Sequence, residues 1–375
     1  MKAIFNHKDL DKAVQAAARI AGGKTTIPVL SGILVSIESE KATFSASNYE
    51  ISLEYSIPAI VEIPGTILIS GRLFSDLIKK MPTDNITISS DEEDNLLVVQ
   101  SGTSTYKILT MKADEFPAIE RVQQDNAIEL TGADLQEIHR LTSFCVATSG
   151  SPIFTGIHIL INDGILTAYG SDTHCLAKKK IAFNSTVTGD VIIPPISLLE
   201  ICRLAEPEDK VIMSLHKGKI SFQTDSIYFS CQAIQGHRPD FERVIPKVTP
   251  TKVTLSREVF LIALERVSII GTERTKDGVS NNVVISSDKD RMIITSQSGE
   301  KGKAYEEFPA TIDGSDVRFL FNSYLITGFL RAIDADQIIF SFPETKAPCL
   351  LIPTDDDSYL YVTSPMRENA EGAKG

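Results

Sequence analysis

The chain has 375 residues, which is more than one ordinary hydrophobic core can organise, so two or three domains are expected. Apolar residues make up 42% and charged residues 23%, as in soluble globular proteins, and no apolar run approaches the roughly 20 residues of a membrane helix. The formal net charge of −12 argues against a protein that grips nucleic acid through its bulk charge.

The cysteines, the histidines and the N-terminus indicate where the protein works. The N-terminal MKAIFNHKDLDKAV lacks the apolar segment of a signal peptide, so we expect a cytoplasmic protein. No C-x-x-C pair is present, and we expect reduced, mostly buried thiols at Cys145, Cys175, Cys202, Cys231 and Cys349. The six histidines are scattered, so neither a metal site nor any other cofactor is predicted.

The spacing of apolar residues predicts six amphipathic helices. In chain order they cover residues 8–24, 71–80, 133–140, 197–203, 257–266 and 323–331. Two to four strand-like runs follow each helix, joined by turns such as Asn162-Asp163-Gly164 and Asp288-Lys289-Asp290. The chain is therefore expected to alternate helices with short antiparallel sheets.

Two independent phrases repeat with the same period. Leu10, Leu135 and Phe260 occupy matching helix positions 125 residues apart. The strand starts Ile86, Val211 and Ile338 are separated by 125 and 127 residues. We therefore predict an α+β fold of three similar domains, each a duplicated helix-plus-sheet unit, over residues 1–122, 127–246 and 251–367, with 368–375 as a mobile tail. The alternative is that any α+β protein shows helices and strands at similar spacing.

Charge is distributed unevenly between the helices and the rest of the chain. The six helix segments hold twelve basic and eight acidic residues, a net +4, whereas the remainder carries −16. If the outer sheets join edge to edge, the helices lie on one concave face, and two copies would complete a ring. The charge distribution then predicts a positive inner face that tolerates a polyanion, although helix surfaces generally favour Lys and Arg.

Seven phrases, taken in order, resemble the bacterial DNA polymerase III β subunit family, the sliding clamps. They are Lys24–Val35, Ser70–Pro82, Ala113–Ile119, Pro152–Ile159, Gly170–Ala177, Arg238–Pro246 and Ser364–Arg367. The resemblance implies a DNA clamp fold and a head-to-tail homodimeric ring, with the helices inside, around double-stranded DNA of any sequence. It further implies a processivity factor without catalytic residues, whose partners are the DNA polymerase III catalytic subunit, the clamp loader and repair polymerases.

In this family, partner proteins insert short linear motifs into a cleft between the second and third domains. The matching positions here are Phe154, Ser171, Thr173, His174, Cys175, Leu176, Pro239, Arg243, Val244, Pro348, Val362, Ser364, Pro365, Met366 and Arg367. An apolar floor would bury a Leu or Phe of the partner and polar rims would orient its backbone. Taken alone, His174 is equally compatible with a capped core histidine.

The chain departs from the family pattern at the cleft. Cys175 stands where the family usually has Arg, which predicts the loss of a charge from the rim, and Ser364 replaces the usual apolar residue. The tail ENAEGAKG is additional. These changes raise the question of how strongly partners bind.

The resemblance also indicates which residues face DNA and which join the two copies. The DNA-facing candidates are Lys12, Arg19, Lys24, Arg72, Lys79, Lys80, Arg140, Arg203, Arg266, Arg274, Lys276 and Arg331. Ser151 and Ser280 stand where the family often has Arg, so a divergent second copy of the clamp, with a weaker grip on DNA, is one hypothesis. The dimer candidates are Tyr106 and Ile108 on one predicted strand and Ile269 and Ile270 in the third domain, with plain core as the alternative for the Ile pair.

Two other functions are compatible with parts of the sequence. Ala18–Thr26 nearly matches a P-loop, but a helix is predicted before it and a strand after it, the reverse of a nucleotide-binding loop. A scaffold or regulator with a clamp fold that is not loaded on DNA is the second alternative. The carboxylate pair Glu92-Glu93 lies in an acidic turn and predicts only a solvated loop.

Overall fold

A computed structural model describes residues 1–23, 26–91, 95–124, 127–275, 278–345 and 347–367. The predictions for Lys24, Glu92, Glu93, Lys276 and the tail 368–375 concern residues outside these ranges. Within them, no helix combines the length and the apolar character needed to span a bilayer.

The first third of the chain contains two copies of a strand–helix–three-strand unit, plus one additional strand. The elements are β1 (Lys2–Asn6), α1 (His7–Ala21), β2 (Gly32–Glu38), β3 (Lys41–Ser47), β4 (Ile51–Pro58), β5 (Ile60–Ile63), β6 (Gly65–Ser70), α2 (Gly71–Ile78), β7 (Asn85–Asp91), β8 (Leu96–Ser101) and β9 (Ser104–Leu109).

The second third repeats the same unit twice. Its elements are β10 (Ala127–Thr131), α3 (Gly132–Thr142), β11 (Ile157–Asn162), β12 (Ile165–Ser171), β13 (Cys175–Ala182), β14 (Gly189–Ile193), α4 (Pro195–Leu204), β15 (Lys210–His216), β16 (Lys219–Gln223) and β17 (Ile227–Gln232).

The last third again contains the unit twice, with two additional strands. Its elements are β18 (Thr251–Ser256), α5 (Arg257–Gly271), β19 (Thr272–Thr275), β20 (Gly278–Asp288), β21 (Arg291–Ser298), β22 (Gly302–Pro309), β23 (Thr311–Asp313), β24 (Arg318–Asn322), α6 (Ser323–Ala332), β25 (Gln337–Phe342), β26 (Cys349–Pro353) and β27 (Tyr359–Thr363). Leu10, Leu135 and Phe260 are all buried at their equivalent positions. The predicted α+β fold of three similar domains, each a duplicated unit, is confirmed.

The strands form two compact units that do not coincide with the thirds of the sequence. Residues Met1–Leu135 with Ile196–Ala233 hold a five-stranded sheet, β5-β1-β7-β8-β9, and an eight-stranded sheet, β10-β15-β16-β17-β4-β3-β2-β6. Residues Gln136–Pro195 with Ile234–Gly375 hold a nine-stranded sheet, β14-β11-β12-β13-β27-β26-β25-β18-β23, and a sheet of β19-β20-β21-β22 in which β24 pairs with β20. The second third contributes to both units because β17 pairs with β4 and β13 pairs with β27. The domain boundaries expected from the sequence stay a prediction.

The helix ends differ from the predicted ones for local reasons. Helix α1 stops at Ala21 rather than at residue 24, because the consecutive glycines Gly22 and Gly23 disfavour its continuation. Helix α5 runs past residue 266 because its buried face continues through Val267 to Gly271. A Cβ at Gly271 would lie 2.5 Å from the Asn282 carbonyl oxygen, so only glycine permits this close approach.

The five cysteines are free thiols, and all except the half-buried Cys202 are buried. This arrangement matches the expected reduced and mostly buried state. Burial raises the pKa of Cys202 and of Cys231, each to about 12, so both are neutral thiols near pH 7.

Candidate peptide cleft, basic helix surface and strand edges

A cavity of about 220 Å³ lies in the second compact unit beside the β13–β27 pairing. Eleven of the fifteen predicted cleft residues line it: Phe154, Ser171, Thr173, His174, Cys175, Leu176, Pro239, Val244, Pro348, Val362 and Ser364. The structure therefore brings together residues as far apart in the sequence as Phe154 and Ser364.

Strand alternation decides which β13 side chains face the cavity. Leu176 packs with Tyr169, Phe241 and Val362 in a small apolar cluster that forms the floor. Cys175, one residue earlier, belongs to the main core instead, and its thiol lies 3.7 Å from the Cys145 carbonyl. Cys175 thus lines the cavity but sends its thiol towards the core, because neighbouring residues of a strand face opposite sides, and the expected loss of a charge from the rim stays a prediction.

The loop between β12 and β13 holds His174 at the surface. The Asp172 carboxylate accepts hydrogen bonds from the N–H groups of His174 and Cys175, both at 2.8 Å. The Ser171 hydroxyl donates to the Cys175 carbonyl at 2.7 Å and accepts the Thr173 N–H at 3.2 Å. His174 is exposed, so the alternative of a capped core histidine is wrong.

Four predicted residues lie outside the cavity lining. They are Arg243, Pro365, Met366 and Arg367. The Arg243 side chain is 84% exposed and pairs with Asp240 at 2.9 Å, and the Met366 N–H donates to the Leu320 carbonyl at 2.7 Å. Conversely, Asp240 and Phe241 line the cavity and were not predicted. The aromatic residue between two charged ones in Arg238–Pro246 was the available signal for Phe241.

A buried histidine supports the floor from behind. The His158 ring lies edge-on to the Phe241 ring with centroids 5.0 Å apart, and its Nε2 donates to the Ile153 carbonyl at 2.6 Å. Its Nδ1 is buried with no hydrogen-bond partner among the described residues. Burial lowers the pKa of His158, so the ring is neutral at physiological pH.

Nine of the twelve DNA-facing candidates lie on the helices or in the turns that follow them, and all nine are exposed: Lys12, Arg19, Arg72, Lys79, Lys80, Arg140, Arg203, Arg266 and Arg331. Lys24 and Lys276 lie outside the described residues. Arg274 belongs to β19, and nothing is concluded about its side chain.

Ion pairs partly neutralise this basic surface. Lys12 pairs with Glu206, and Arg266 pairs with Glu306 at 2.6 Å. Four further pairs join Arg19–Glu200, Arg203–Glu200, Arg140–Asp334 and Arg331–Glu265. Three acidic partners, Glu206, Glu306 and Asp334, lie outside the helix segments from which the +4 excess was counted. Among the described residues, Arg72, Lys79 and Lys80 are the DNA-facing candidates without an ion pair within 4.0 Å.

Two sheets end in strands that carry exposed apolar residues. Strand β9 closes the five-stranded sheet of the first unit, with Tyr106 42% and Leu109 73% exposed. Strand β22 closes a sheet of the second unit, with Tyr305 60% exposed, and Ile269 in the last turn of α5 is 67% exposed. The alternative that Ile269 is core is wrong. Ile108 and Ile270 are half-buried, and sequence reasoning missed Leu109 and Tyr305.

Three family models match consecutive parts of the chain. They describe the N-terminal, central and C-terminal domains of the DNA polymerase III β subunit, over residues 1–120, 129–240 and 242–367. The β sliding clamp of Staphylococcus epidermidis is 31% identical over 356 residues, covering 92% of this chain and 93% of that protein. That of Staphylococcus aureus is 29% identical over the same coverage.

Solved structures agree with the sequence relatives. The DNA polymerase sliding clamp from Bacillus subtilis has a TM-score of 0.91 and 26% identity, covering 98% of this chain and 100% of that one. A sliding clamp from Pseudomonas aeruginosa bound to griselimycin has a TM-score of 0.92 and 25% identity, with the same coverage. The chain therefore belongs to the DNA polymerase III β subunit family, the bacterial β sliding clamps, which act as non-catalytic processivity factors in DNA replication.

Proposed function

We propose that two copies of this chain join head to tail into a ring around double-stranded DNA and that each copy holds a partner's linear motif in the cavity described above. The clients are the DNA polymerase III catalytic subunit, the clamp loader and repair polymerases, and the ring works in the cytoplasm. The cavity is the observation that carries the client role, because it combines an apolar floor with a rigid polar loop at the rim.

The strand edges support the closure of the ring. An edge strand presents unpaired N–H and C=O groups, and proteins usually cover long apolar edges. Strand β9 offers Tyr106 and Leu109, whereas β22 offers Tyr305, so the two edges differ in sequence. A contact between unlike edges is heterologous, and it closes into a ring of two when it relates the two copies by half a turn. The half-buried Ile108 and Ile270 would be covered in the same contact.

Changing one edge tests the dimer. Leu109→Asp places a charge where the partner's apolar edge would pack, and we expect sedimentation equilibrium to show a monomer. The matched control is Val248→Asp, which changes a 76% exposed valine outside both edges and should leave the dimer intact. A wild-type monomer, or equal behaviour of the two variants, would contradict the proposed assembly.

Retention on DNA distinguishes a topological ring from a charge-held protein. After loading by a clamp loader, the wild-type ring should stay on nicked circular DNA and leave linear DNA through its ends. A protein held by charge would dissociate from circular and linear DNA at similar rates, and its binding would weaken steeply with salt. Failure to load would favour the scaffold alternative. Retention equal to that of an ordinary clamp would leave no reason to regard this chain as a divergent second copy of the clamp with weaker DNA binding.

The P-loop alternative has no support in the described backbone. Helix α1 runs into the Ala18–Thr26 region and ends at Ala21, and the next strand is β2, whereas a phosphate-binding loop follows a strand and opens a helix.

A further inference from the structure

One wall of the cavity is a short 3₁₀ turn, Phe241–Val244, whose backbone bonds are local. The Phe241 N–H donates to the Pro239 carbonyl at 2.9 Å, and the Arg243 N–H donates to the Asp240 carbonyl at 3.3 Å. Both bonds stay within the segment and do not attach it to the sheet. Side chains must therefore fix the position of this wall.

Glu242 makes such an attachment. One carboxylate oxygen accepts hydrogen bonds from the Tyr169 hydroxyl at 2.7 Å and from the Lys178 ammonium at 2.5 Å. Tyr169 on β12 and Lys178 on β13 are directly opposite each other in the strand register. One carboxylate therefore bridges two neighbouring strands to the turn that forms the wall.

The surroundings favour a charged Glu242 and a protonated Tyr169. The Lys178 side chain is only 9% exposed, so its ammonium needs a counter-charge. Burial raises the pKa of Glu242, but hydrogen bonds from Lys178 and Tyr169 outweigh it, and the net effect lowers that pKa. Burial and the hydrogen bond to Glu242 raise the pKa of Tyr169, so its hydroxyl remains a donor.

The attachment sits where the wall meets the floor. The Tyr169 and Phe241 rings pack with centroids 5.2 Å apart, and the Lys178 ammonium lies 5.8 Å from the centre of the Tyr169 ring. Leu176, part of the floor, precedes Lys178 by two residues and so shares its strand face. Any shift of the turn would therefore move Phe241 and Val244 relative to Leu176.

We propose that Glu242 is a positioning residue that holds the Phe241–Val244 wall against Tyr169 and Lys178, and thereby sets the affinity of the cleft for client peptides. The inference rests on the proposed function of the cavity. Glu242 does not line the cavity itself, so its effect is exerted through the wall.

Peptide affinity of matched variants tests the proposal. The probe is a fluorescein-labelled hexapeptide that ends in Leu-Phe, measured by anisotropy. We expect Glu242→Ala to weaken binding about tenfold, the equivalent of ~1.4 kcal/mol. Glu242→Gln keeps an acceptor for Tyr169 and loses the charge opposite Lys178, so it should fall in between. The control is Glu120→Ala, which breaks a 2.7 Å pair with Lys219 in the other compact unit and should bind like wild type.

Hydrogen exchange separates positioning from a general loss of structure. In Glu242→Ala, the amides of residues 240–245 should exchange faster without peptide, while those of β11 and β12 keep their wild-type protection. Wild-type affinity in Glu242→Ala, or exchange that rises equally in the strands, would overturn the inference.

Two controls keep the outcome interpretable. Should Glu242→Ala fail to fold, Tyr169→Phe keeps the aromatic ring and removes one hydrogen-bond donor to Glu242. Reduced peptide affinity in Tyr169→Phe would support the attachment of the wall by Glu242, and unchanged affinity would overturn it. If the unmodified protein binds no peptide but residues 240–245 still exchange faster in the variant, the proposed binding of clients in the cavity is wrong, while the attachment of the wall by Glu242 is supported.

Discussion

The cleft and the basic helix surface are built in opposite ways. The floor of the cleft is a cluster of buried side chains, Tyr169, Leu176, Phe241 and Val362, carried by paired strands and one turn. The DNA-facing candidates are exposed residues on helices, or in the turns that follow them, in both compact units, and six of the nine described ones have an acidic partner. One site concentrates its contacts, and the other distributes them.

This difference indicates how each site would discriminate between ligands. A packed apolar pocket recognises shape, and a few residues carry most of its binding free energy. Exposed charges recognise a phosphate backbone of any sequence, and each contributes little and is screened by salt. A ring that must slide along DNA while holding a specific partner needs both kinds of surface.

The largest expected effect is a charge placed in the cleft wall. Val244 lines the cavity and is 48% exposed, so Val244→Asp should fold normally. We expect affinity for the Leu-Phe hexapeptide to fall about thirtyfold, close to 2 kcal/mol, because the aspartate would be desolvated by the peptide. Val248→Asp, four residues along the same segment, is the control. Equal affinity in both variants would mean that the cavity is not where the peptide binds.

A smaller, distributed effect is expected from the unpaired cations. The triple variant Arg72→Gln, Lys79→Gln, Lys80→Gln should reduce the salt dependence of binding to a short linear duplex, by up to about 2.7 in the slope of log K against log salt. A control with the same charge change replaces Lys112, Lys217 and Lys289, which are exposed and lie outside the helices. Comparable slopes for the two triple variants would argue against DNA contact through α2 and the turn that follows it. Peptide affinity should not change in either.

The smallest expected effect is a pH dependence of the stability of the protein that arises from one buried residue behind the cleft, His158. Burial lowers the pKa of His158 below its ordinary 6.5, with Asp190 opposing and Arg238 adding to the shift. The unfolded chain therefore takes up the proton first, so stability is complete above pH 6.5 and declines as the pH falls towards the lowered value. His158→Phe should flatten the urea-unfolding profile between pH 7 and 5. An unchanged profile would show that His158 does not titrate in this range.

The sequence predicts what is periodic or local. The buried positions Leu10, Leu135 and Phe260 follow from helical spacing, and the β12–β13 loop follows from its resemblance to the family. The ion-pair partner of Lys12 could not be predicted from the sequence, because Glu206 is 194 residues away and no local pattern links the two residues. In the sequence alone, Glu242 likewise cannot be distinguished from the other charged residues of a polar segment. Only the strand register that sets Tyr169 against Lys178 gives its carboxylate a role. The orientation of the Cys175 side chain could have been predicted, because alternation along β13 places it on the opposite face of the sheet from Leu176.

The pairing of β4 with β17 limits how the chain can be divided. Five residue pairs, from Ile227↔Tyr55 to Cys231↔Ile51, join strands that come from different thirds of the sequence. A fragment ending near residue 124 would keep β4 but lose the strand that satisfies its outer N–H and C=O groups. Such a fragment would expose an unpaired strand edge to other copies and would aggregate. The repeats therefore share one architecture but should be produced only together, in one chain.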